Sequence, residues 1–481
     1  IKRIYIDYLG IQVQSAQASK SGIDSYAAQI GQIDNLLADT TSGLSPALQA
    51  FFSGIQDVAT NPTSLAARQS ALSAADALAA RVQSLAGRLD EIGQGVNSQI
   101  SASVATINAQ ASQIAQLNDA ISRAQASTGQ PPNDLLDQRD QLVLDLNTQI
   151  KATVVKQDDG SYNVFIGNGQ PLVTGNKTFA LSAVASPDNP QQTVVAYQGS
   201  SGTSRVLADT ALTGGALGGV LAFRSSSLGA AQNALGRIAI GLADSFNAQH
   251  QAGFDLNGAA GVPFFSVPAP QVIASTANTG TATLSAAVSS SSALTTSDYR
   301  VQFDGSQYTI TRLADNTSSS FASLPQTLDG IDFNLAAGSA AAGDRFLIRP
   351  TALGASGFAV AISDPAAIAA AGQTGATGDN ANALLLADLQ TAKTLAGGQA
   401  SFQGAYTLLV SEVGNKTREL QVTGQAAASL LSESTASLQS QSGVNLDEEA
   451  TNLLRYQQAY QAAGKVMQIA SEIFDTLLNL G

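Results

Sequence analysis

An apolar residue returns at every seventh position from Leu72 through Ala79, Ala86, Ile100, Ile107 and Ile114 to Ile121, with Gly93 holding the remaining place. Ala75, Val82, Leu89, Val96 and Leu117 form the companion seam, interrupted by the polar Ser103 and Gln110. A seven-residue period keeps one stripe of an α-helix facing partner helices, so the pattern predicts a single helix from Pro62 to Ala126. At 1.5 Å per residue it would measure roughly 95 Å. Asn61 is placed to cap this helix and Pro62 to fill its first position, and Thr128-Gly129-Gln130-Pro131-Pro132 ends it. Two helices precede it. Gln12 to Leu37 carries Ile23, Tyr26, Ile30, Ile33 and Leu37 on one face, and Ser42 to Asn61 centres on Leu48, Phe51, Phe52, Ile55 and Val58. Asn133 is placed to cap a fourth helix that runs to about Gln149.

From Lys151 the apolar period falls to two. Ala152–Val155, Tyr162–Ile166 and Thr193–Tyr197 read as strands, with turns at Asp158-Asp159-Gly160 and Gly167-Asn168-Gly169. A helical pair follows from Gly219 to about His250. Strands resume at Tyr299–Phe303, Gln307–Arg312, Gly330–Leu335 and Asp344–Ile348, with Asp304-Gly305 as a hairpin turn, and helical signals return from Asp379.

This order predicts a multi-domain α plus β protein. Its frame is an elongated helical bundle or coiled-coil rod built from N- and C-terminal segments, with strand-rich domains inserted between them. The expected division is 1–150 for the N-terminal helical part of the rod, 151–213 for a strand-rich insertion and 214–252 for the helical pair returning to the rod. A strand-rich outer domain follows at 253–360, then the C-terminal helical part of the rod at 361–444 and a terminal heptad helix at 445–481. Nesting of this kind brings both chain ends to one end of the molecule. Matching periods predict that the helix holding Ile100, Ile107, Ile114 and Ile121 packs beside the helices from Asp379 onward.

The terminal helix opens at Asn445, whose side chain can cap the first turn while Glu448 completes a capping box; Asp447, Glu448 and Glu449 complement the helix dipole. Leu446, Leu453, Tyr460, Met467 and Phe474 share one heptad position, and Tyr456, Ala463, Ala470 and Leu477 lie three residues after them. Ala459, Val466, Ile473 and Leu480 widen the stripe. Gly464 costs roughly 1 kcal/mol of helix propensity relative to Ala. The stripe from Leu446 to Leu480 is the candidate assembly surface. Leu72, Val82, Leu89, Val96, Ile100, Ile107, Ile114, Leu117 and Ile121 are the candidate rod seam.

The residues of the tail carry a resemblance as well as a period. Ser442-Gly443-Val444-Asn445-Leu446-Asp447-Glu448-Glu449, then Leu453-Leu454-Arg455-Tyr456-Gln457-Gln458-Ala459-Tyr460-Gln461-Ala462-Ala463 and Lys465-Val466, resembles the C-terminal signature of bacterial flagellar axial proteins. Rod, hook and hook-associated proteins share that form. Ser471-Glu472-Ile473-Phe474-Asp475-Thr476-Leu477-Leu478 is similar more specifically to the flagellar hook-associated protein 1 family, the first hook–filament junction proteins. So are Asn133–Leu142, Gly214-Gly215-Ala216-Leu217 with Phe223-Arg224, Phe246–His250 with Gly253-Phe254-Asp255, Gly343–Pro350, and Gly414-Asn415-Lys416-Thr417. Thr451 and Gly464 depart from the small helix-favouring residues usual at those places.

The resemblance implies a structural component of the bacterial flagellum that forms an adaptor ring between hook and filament. The partners it implies are copies of the chain itself, the flagellar hook protein and the second hook–filament junction protein. It further implies export by the flagellar type III system to an extracellular place, without a cleavable signal peptide, after a cytoplasmic chaperone has held the terminal helix. The family begins with a helix ending in an Asn- and Gly-rich motif that has no counterpart before Ile1. The expectation is therefore a fragment whose terminal helix lacks its intramolecular partner. Another axial protein of hook or rod type, or a host-contacting adhesin, is the alternative reading.

Composition changes this picture little. The 481 residues allow several domains, and a net charge of −13 argues against nucleic acid, which needs clustered Lys and Arg. No apolar run is long enough to span a bilayer. Cysteine is absent, which removes disulfides and thiolate metal sites and fits export of an unfolded chain.

Candidate chemistry is thin. His250 is the single histidine, so a Ser-His-Asp triad would need it and H-E-x-x-H is impossible; a local packing role at a helix end is the reading. Asp255-Leu256-Asn257-Gly258 resembles part of a calcium loop but lacks the third ligand and the distal Glu, and reads as a tight turn. Gly214–Gly219 lacks the Walker residues and reads as a flexible connection. Asp134, Asp137 and Asp140 complement a helix start, with Arg139 as local countercharge. No catalytic, cofactor or metal site is assigned, and the chain is expected not to be an enzyme. A catalytic insertion would need a deep polar cleft between Lys151 and Pro350.

Overall fold

The computed structural model describes residues 6–39, 43–199, 202, 204–442 and 446–478, with the side chains at 442 and 446–449 left aside. Four helices open the chain: α1 (Asp7–Leu37), α2 (Leu44–Thr60), α3 (Leu65–Thr128) and α4 (Asn133–Gln149). α3 is 64 residues long without a break, about 96 Å at the α-helical rise. Its start differs from expectation. Asn61 donates its N–H to the Asp57 carbonyl and closes α2, and it is Ser64 whose hydroxyl accepts from the Ala67 N–H at 3.2 Å and caps α3. Asn61-Pro62 therefore belongs to the intervening turn, because the backbone of Asn61 is already engaged by the helix before it. α4 likewise begins at Asn133 itself, with Pro132 in the cap position and no side-chain cap.

Two antiparallel meanders follow. One is β1 (Ala152–Lys156), β2 (Tyr162–Ile166), β3 (Gln170–Thr174) and β4 (Lys177–Thr178); the other is β5 (Leu181–Ala185), β6 (Thr193–Gln198) and β7 (Ser204–Val206). Both lie along α3, and three asparagines on one side of that helix hold them. Asn97 bonds the Gln191 carbonyl and the Thr193 N–H, and Asn108 bonds both backbone groups of Leu181. Asn118 donates to the Tyr162 and Gly175 carbonyls and accepts from the Tyr162 N–H. About three helical turns separate one Asn from the next, which keeps them on one face.

The expected helical pair is one continuous run. α5 (Gly215–Phe223) passes through a π-helical turn at Arg224–Leu228 into α6 (Gly229–Gln251). The Gly214–Gly219 segment is tightly packed, not flexible. A Cβ on Gly219 would collide with the Gly22 carbonyl of α1, and one on Gly215 with the Gln149–Ile150 backbone.

β8 (Phe265–Ser266) pairs with β17 (Ala359–Val360) against the core of the helical body. Between them in the chain the outer domain holds β9 (Gln271–Ala274), β10 (Thr283–Val288), β11 (Tyr299–Phe303), β12 (Tyr308–Arg312), β13 (Thr317–Phe321), β14 (Gln326–Leu328), β15 (Ile331–Ala337) and β16 (Arg345–Arg349). A five-stranded sheet in the order β13-β12-β11-β16-β9 and a three-stranded sheet β10-β15-β14 enclose a separate core around Tyr299, Val301, Ile310, Phe333 and Phe346. Asp304-Gly305 turns the β11–β12 hairpin, with Gly305 at φ 106°.

The chain returns through α7 (Ala381–Asp388), α8 (Phe402–Ser442) and α9 (Leu446–Leu478). α8 runs antiparallel to α1: the Tyr406 hydroxyl donates to the Leu37 carbonyl at 2.8 Å, and Gly424 lies against Ile23. This brings the far end of α8 alongside the start of α1. The expected pairing of the Ile100–Ile121 seam with the helices after Asp379 does not occur. α8 packs chiefly on α1 and α7 on α2, while that stretch of α3 is covered by α4, α5 and the first strand insertion. The insertion follows α4 directly in the chain, so it reaches the α3 seam first.

Asn118 is 2% exposed and also accepts from Arg139 Nη1 at 2.9 Å. Asn118→Ala would leave a buried guanidinium and three backbone groups short of partners. We expect a loss of about 3 kcal/mol or more in denaturant unfolding; Asn97→Ala, at a more exposed site, should cost about 1 kcal/mol.

Candidate assembly surface

The two heptad stripes meet opposite environments. On α3, Leu72, Val82, Leu89, Val96, Ile100, Ile107, Ile114 and Ile121 are buried, none above 4% exposed, and Leu117 at the edge is half-buried. Small residues of the same helix, Ala71, Ala75 and Ala79, are buried among them and let α2 approach closely. On α9, Leu453 is 68% exposed, Tyr460 82%, Met467 75% and Phe474 64%. Tyr456, Ala463, Ala470 and Leu477 are exposed too, as are Val466 and Ile473 beside them. From Ala450 to Leu478 only Asn452 is even half-buried. Asn445, the Leu446 and Glu448 side chains and Leu480, which the sequence assigns to the cap and the stripe, lie outside the described residues.

α9 is a regular helix of 33 residues despite Gly464, which has nothing within 4 Å of its would-be Cβ. Its long good-former stretches, Gln457–Ala463 and Lys465–Ala470, supply the local propensity. What it presents is an apolar face that no described side chain buries.

The residues with conceivable chemistry sit in structural roles. The Asp255 carboxylate accepts from the Asn257 and Ala259 N–H groups, each at 2.8 Å, which makes a turn. Arg139 points inward, fully buried, with its guanidinium 3.5 Å from the Tyr162 ring centroid and Nη1 donating to the Gly160 carbonyl. Asp140 accepts from the Tyr162 hydroxyl at 2.9 Å. His250 ends α6 fully buried, and burial lowers its pKa from 6.5 to about 4.

One polar cleft, about 590 Å³, opens between α6, the strand insertion and the outer domain. Its acids face cations: Arg224 donates to Asp209 at 2.8 Å and Arg349 to Asp298 at 3.2 Å. Burial pushes the Asp298 carboxyl up, and Arg349 and the Asn233 amide oppose that. Asn233 also bonds Thr351 at 3.1 Å, so the cleft's polar groups seat the outer domain on α6. Sequence reasoning missed this seam and the Asn ladder on α3. Their only signal was a polar residue recurring on a helix face. Among the described residues, no helix is long and apolar enough to cross a membrane.

The contrast in burial yields a test. Ile107→Ala, which opens a cavity in the seam, should destabilise the helical body by about 2–5 kcal/mol. Tyr460→Ala should leave the thermal midpoint of that body unchanged, as read by scanning calorimetry.

Comparison with known proteins bears on the same surfaces. Residues 30–265 match the family model of the flagellar hook-associated protein FlgK helical domain, and residues 273–350 that of the D2-like domain of flagellar hook-associated protein 1. Residues 437–480, which include α9, match the C-terminal model of flagellar basal body rod FlgEFG proteins. The chain is 39% identical to flagellar hook-associated protein 1 of Escherichia coli K12, across all of this chain and 88% of that protein. Against its Salmonella typhimurium LT2 counterpart it is 40% identical, with coverage of 100% and 89%. The solved flagellar hook junction protein FlgK of Burkholderia pseudomallei superposes with a TM-score of 0.85 at 30% identity, over 89% of this chain and all of that one. The chain belongs to the flagellar hook-associated protein 1 family.

Proposed function

We propose that the chain is a structural subunit of the adaptor ring between flagellar hook and filament, and that α9 is the element through which it enters that ring. The uncovered stripe of Leu453, Tyr460, Met467 and Phe474 carries this reading. Burying a large apolar side chain contributes roughly 1.5–3 kcal/mol, so four in a row favour a helical partner over water. Copies of the chain are one partner, since a closed ring repeats a single contact between identical subunits. The hook protein and the second junction protein are the others, in keeping with the hook-junction role that the relatives' names state.

Before assembly the same stripe invites self-association, and an export chaperone that covers it in the cytoplasm fits this need. The working place is outside the cell at the hook–filament junction, reached through the flagellar type III system. The role is structural and not catalytic: the acids of the polar cleft are engaged by Arg224 and Arg349. A hook or rod identity is disfavoured because the rod-type match is confined to residues 437–480, whereas hook-associated models account for 30–265 and 273–350.

Leu453→Asp combined with Phe474→Asp places two charges in the stripe. Chaperone capture and filament attachment should be lost, while circular dichroism and limited proteolysis show the helical body and outer domain intact. Wild-type capture together with normal motility would remove α9 from this role.

A further inference from the structure

The segment Pro365–Ala371 carries the chain from the outer domain back to α7, and it is held from four directions. From α3, Arg68 Nη1 donates to the Ile368 carbonyl at 2.5 Å. From α7, Asn382 Nδ2 donates to the Ala369 carbonyl at 2.7 Å. From the turn after α6, Phe254 exchanges both of its backbone hydrogen bonds with Ala371. From the last turn of α6, His250 Nε2 accepts from the Ala369 N–H at 2.9 Å, and its Nδ1 faces the Val262 carbonyl at 2.6 Å.

These two contacts define the state of the ring. A carbonyl only accepts, so Nδ1 carries the proton, and an amide only donates, so Nε2 does not. The ring is fully buried between Phe246 and Phe264. Only the neutral imidazole, in that one tautomer, satisfies both neighbours.

We propose that His250 is an acid-released clasp. While neutral it fastens the 365–371 strap to α6. On protonation it lets the strap and α7 come away from the helical body while the outer domain stays folded.

An added proton can go only to Nε2, where it would point at the Ala369 N–H and set donor against donor. The new charge would sit in an apolar site facing the Arg68 guanidinium. Asp255 is the carboxylate that acts on the ring, and it is already bonded to the amides of Asn257 and Ala259. On the strap side, Asp364 accepts from Ala366, and Asp379 accepts from Gly372 and Ala381, so neither is bonded to the ring. Burial is the main reason that the imidazole titrates at about 4 in the fold, against 6.5 when free. The unfolded or opened chain takes the proton first. The clasp is therefore complete above pH of about 6.5 and weakens as the pH falls toward about 4. Release is local because the outer domain keeps the separate core around Tyr299 and Phe333.

The full chain has a single histidine, so its ring resonance is unambiguous in a histidine-labelled NMR titration. Hydrogen exchange of the wild type and of His250→Gln, corrected for the intrinsic effect of pH, gives the matching structural readout. Gln keeps an acceptor for Ala369 and does not titrate in this range. In the wild type, protection of the strap and α7 should fall about tenfold or more between pH of about 6.5 and about 4, ahead of the folded-state resonance, with strands β11–β16 unchanged. His250→Gln should hold its strap protection over the same interval. Equal loss in both proteins, a strap that stays protected through the titration, or a folded-state midpoint at the ordinary histidine value would each overturn the proposal. Where the Gln variant is already open at neutral pH, the wild type decides alone: loss of protection must begin near pH of about 6.5 and be nearly complete where the folded-state resonance reaches its midpoint.

Discussion

A helix about 96 Å long with an apolar stripe cannot stand alone in water, and the need to cover α3 organises everything around it. α2 covers its first turns, and α4, α5, α6, β17 and the strand insertion cover more of its length. Covering a helix with strands raises a second demand, since strand ends brought into a dry interface carry backbone groups that need partners. Asn97, Asn108 and Asn118 meet it by presenting a donor and an acceptor each to the meanders. Asn118 reaches furthest, because it also receives the buried Arg139 and so ties α4 to the same point. The seam supplies the affinity, and the asparagines fix the register of the insertion along the rod.

The outer domain is attached on different terms. Its core is distinct from that of the helical body, with Ile240 of α6 as the apolar link. Around that link the contact is polar: Asn233 and Arg349 converge on Asp298, Ser291 bonds Asp244, and the close approach of Thr351 to Gly236 leaves no room for a side chain. A seat built from directional bonds specifies orientation more than it adds stability, because the desolvation of Asp298 and Arg349 offsets much of their attraction. Such a seat suits a domain that must keep one attitude on a rod.

The sequence made the periodic elements readable. Heptads marked α3 and α9, alternation marked β2, β6, β11 and β12, and the helix–strand nesting implied a rod with insertions. What stayed hidden was partnership. The seam at Ile100–Ile121 announced that α3 has neighbours, but period alone does not say whether a helix or a strand covers it, and chain proximity gave the place to the insertion. The glycines at 214–219 looked flexible in sequence because composition cannot distinguish a loose loop from a backbone pressed against Gly22 and Ile150. The turn at Asn61-Pro62 similarly carried the chemistry of a helix start, while Ser64, a few residues on, made the cap. Arg139 read as a local countercharge because nothing nearby in the chain reveals that its partner Asn118 comes from another helix.

α3 and α9 share a period yet differ in what their stripes are made of and in how far they are buried. The α3 seam alternates Ile, Val and Leu with Ala, so partner backbones come close and the stripe closes within one chain. The α9 stripe is built from Leu453, Tyr460, Met467 and Phe474, large side chains that stand out from the helix and need a groove of matching depth. α8 turns part of its apolar surface to α1, while its Leu408, Val422 and Leu430 stay exposed. Among the described residues nothing buries this stripe, and under the proposed function it is the surface offered to a partner. On that proposal, stability of the body and capacity for assembly reside in separate residues of one chain.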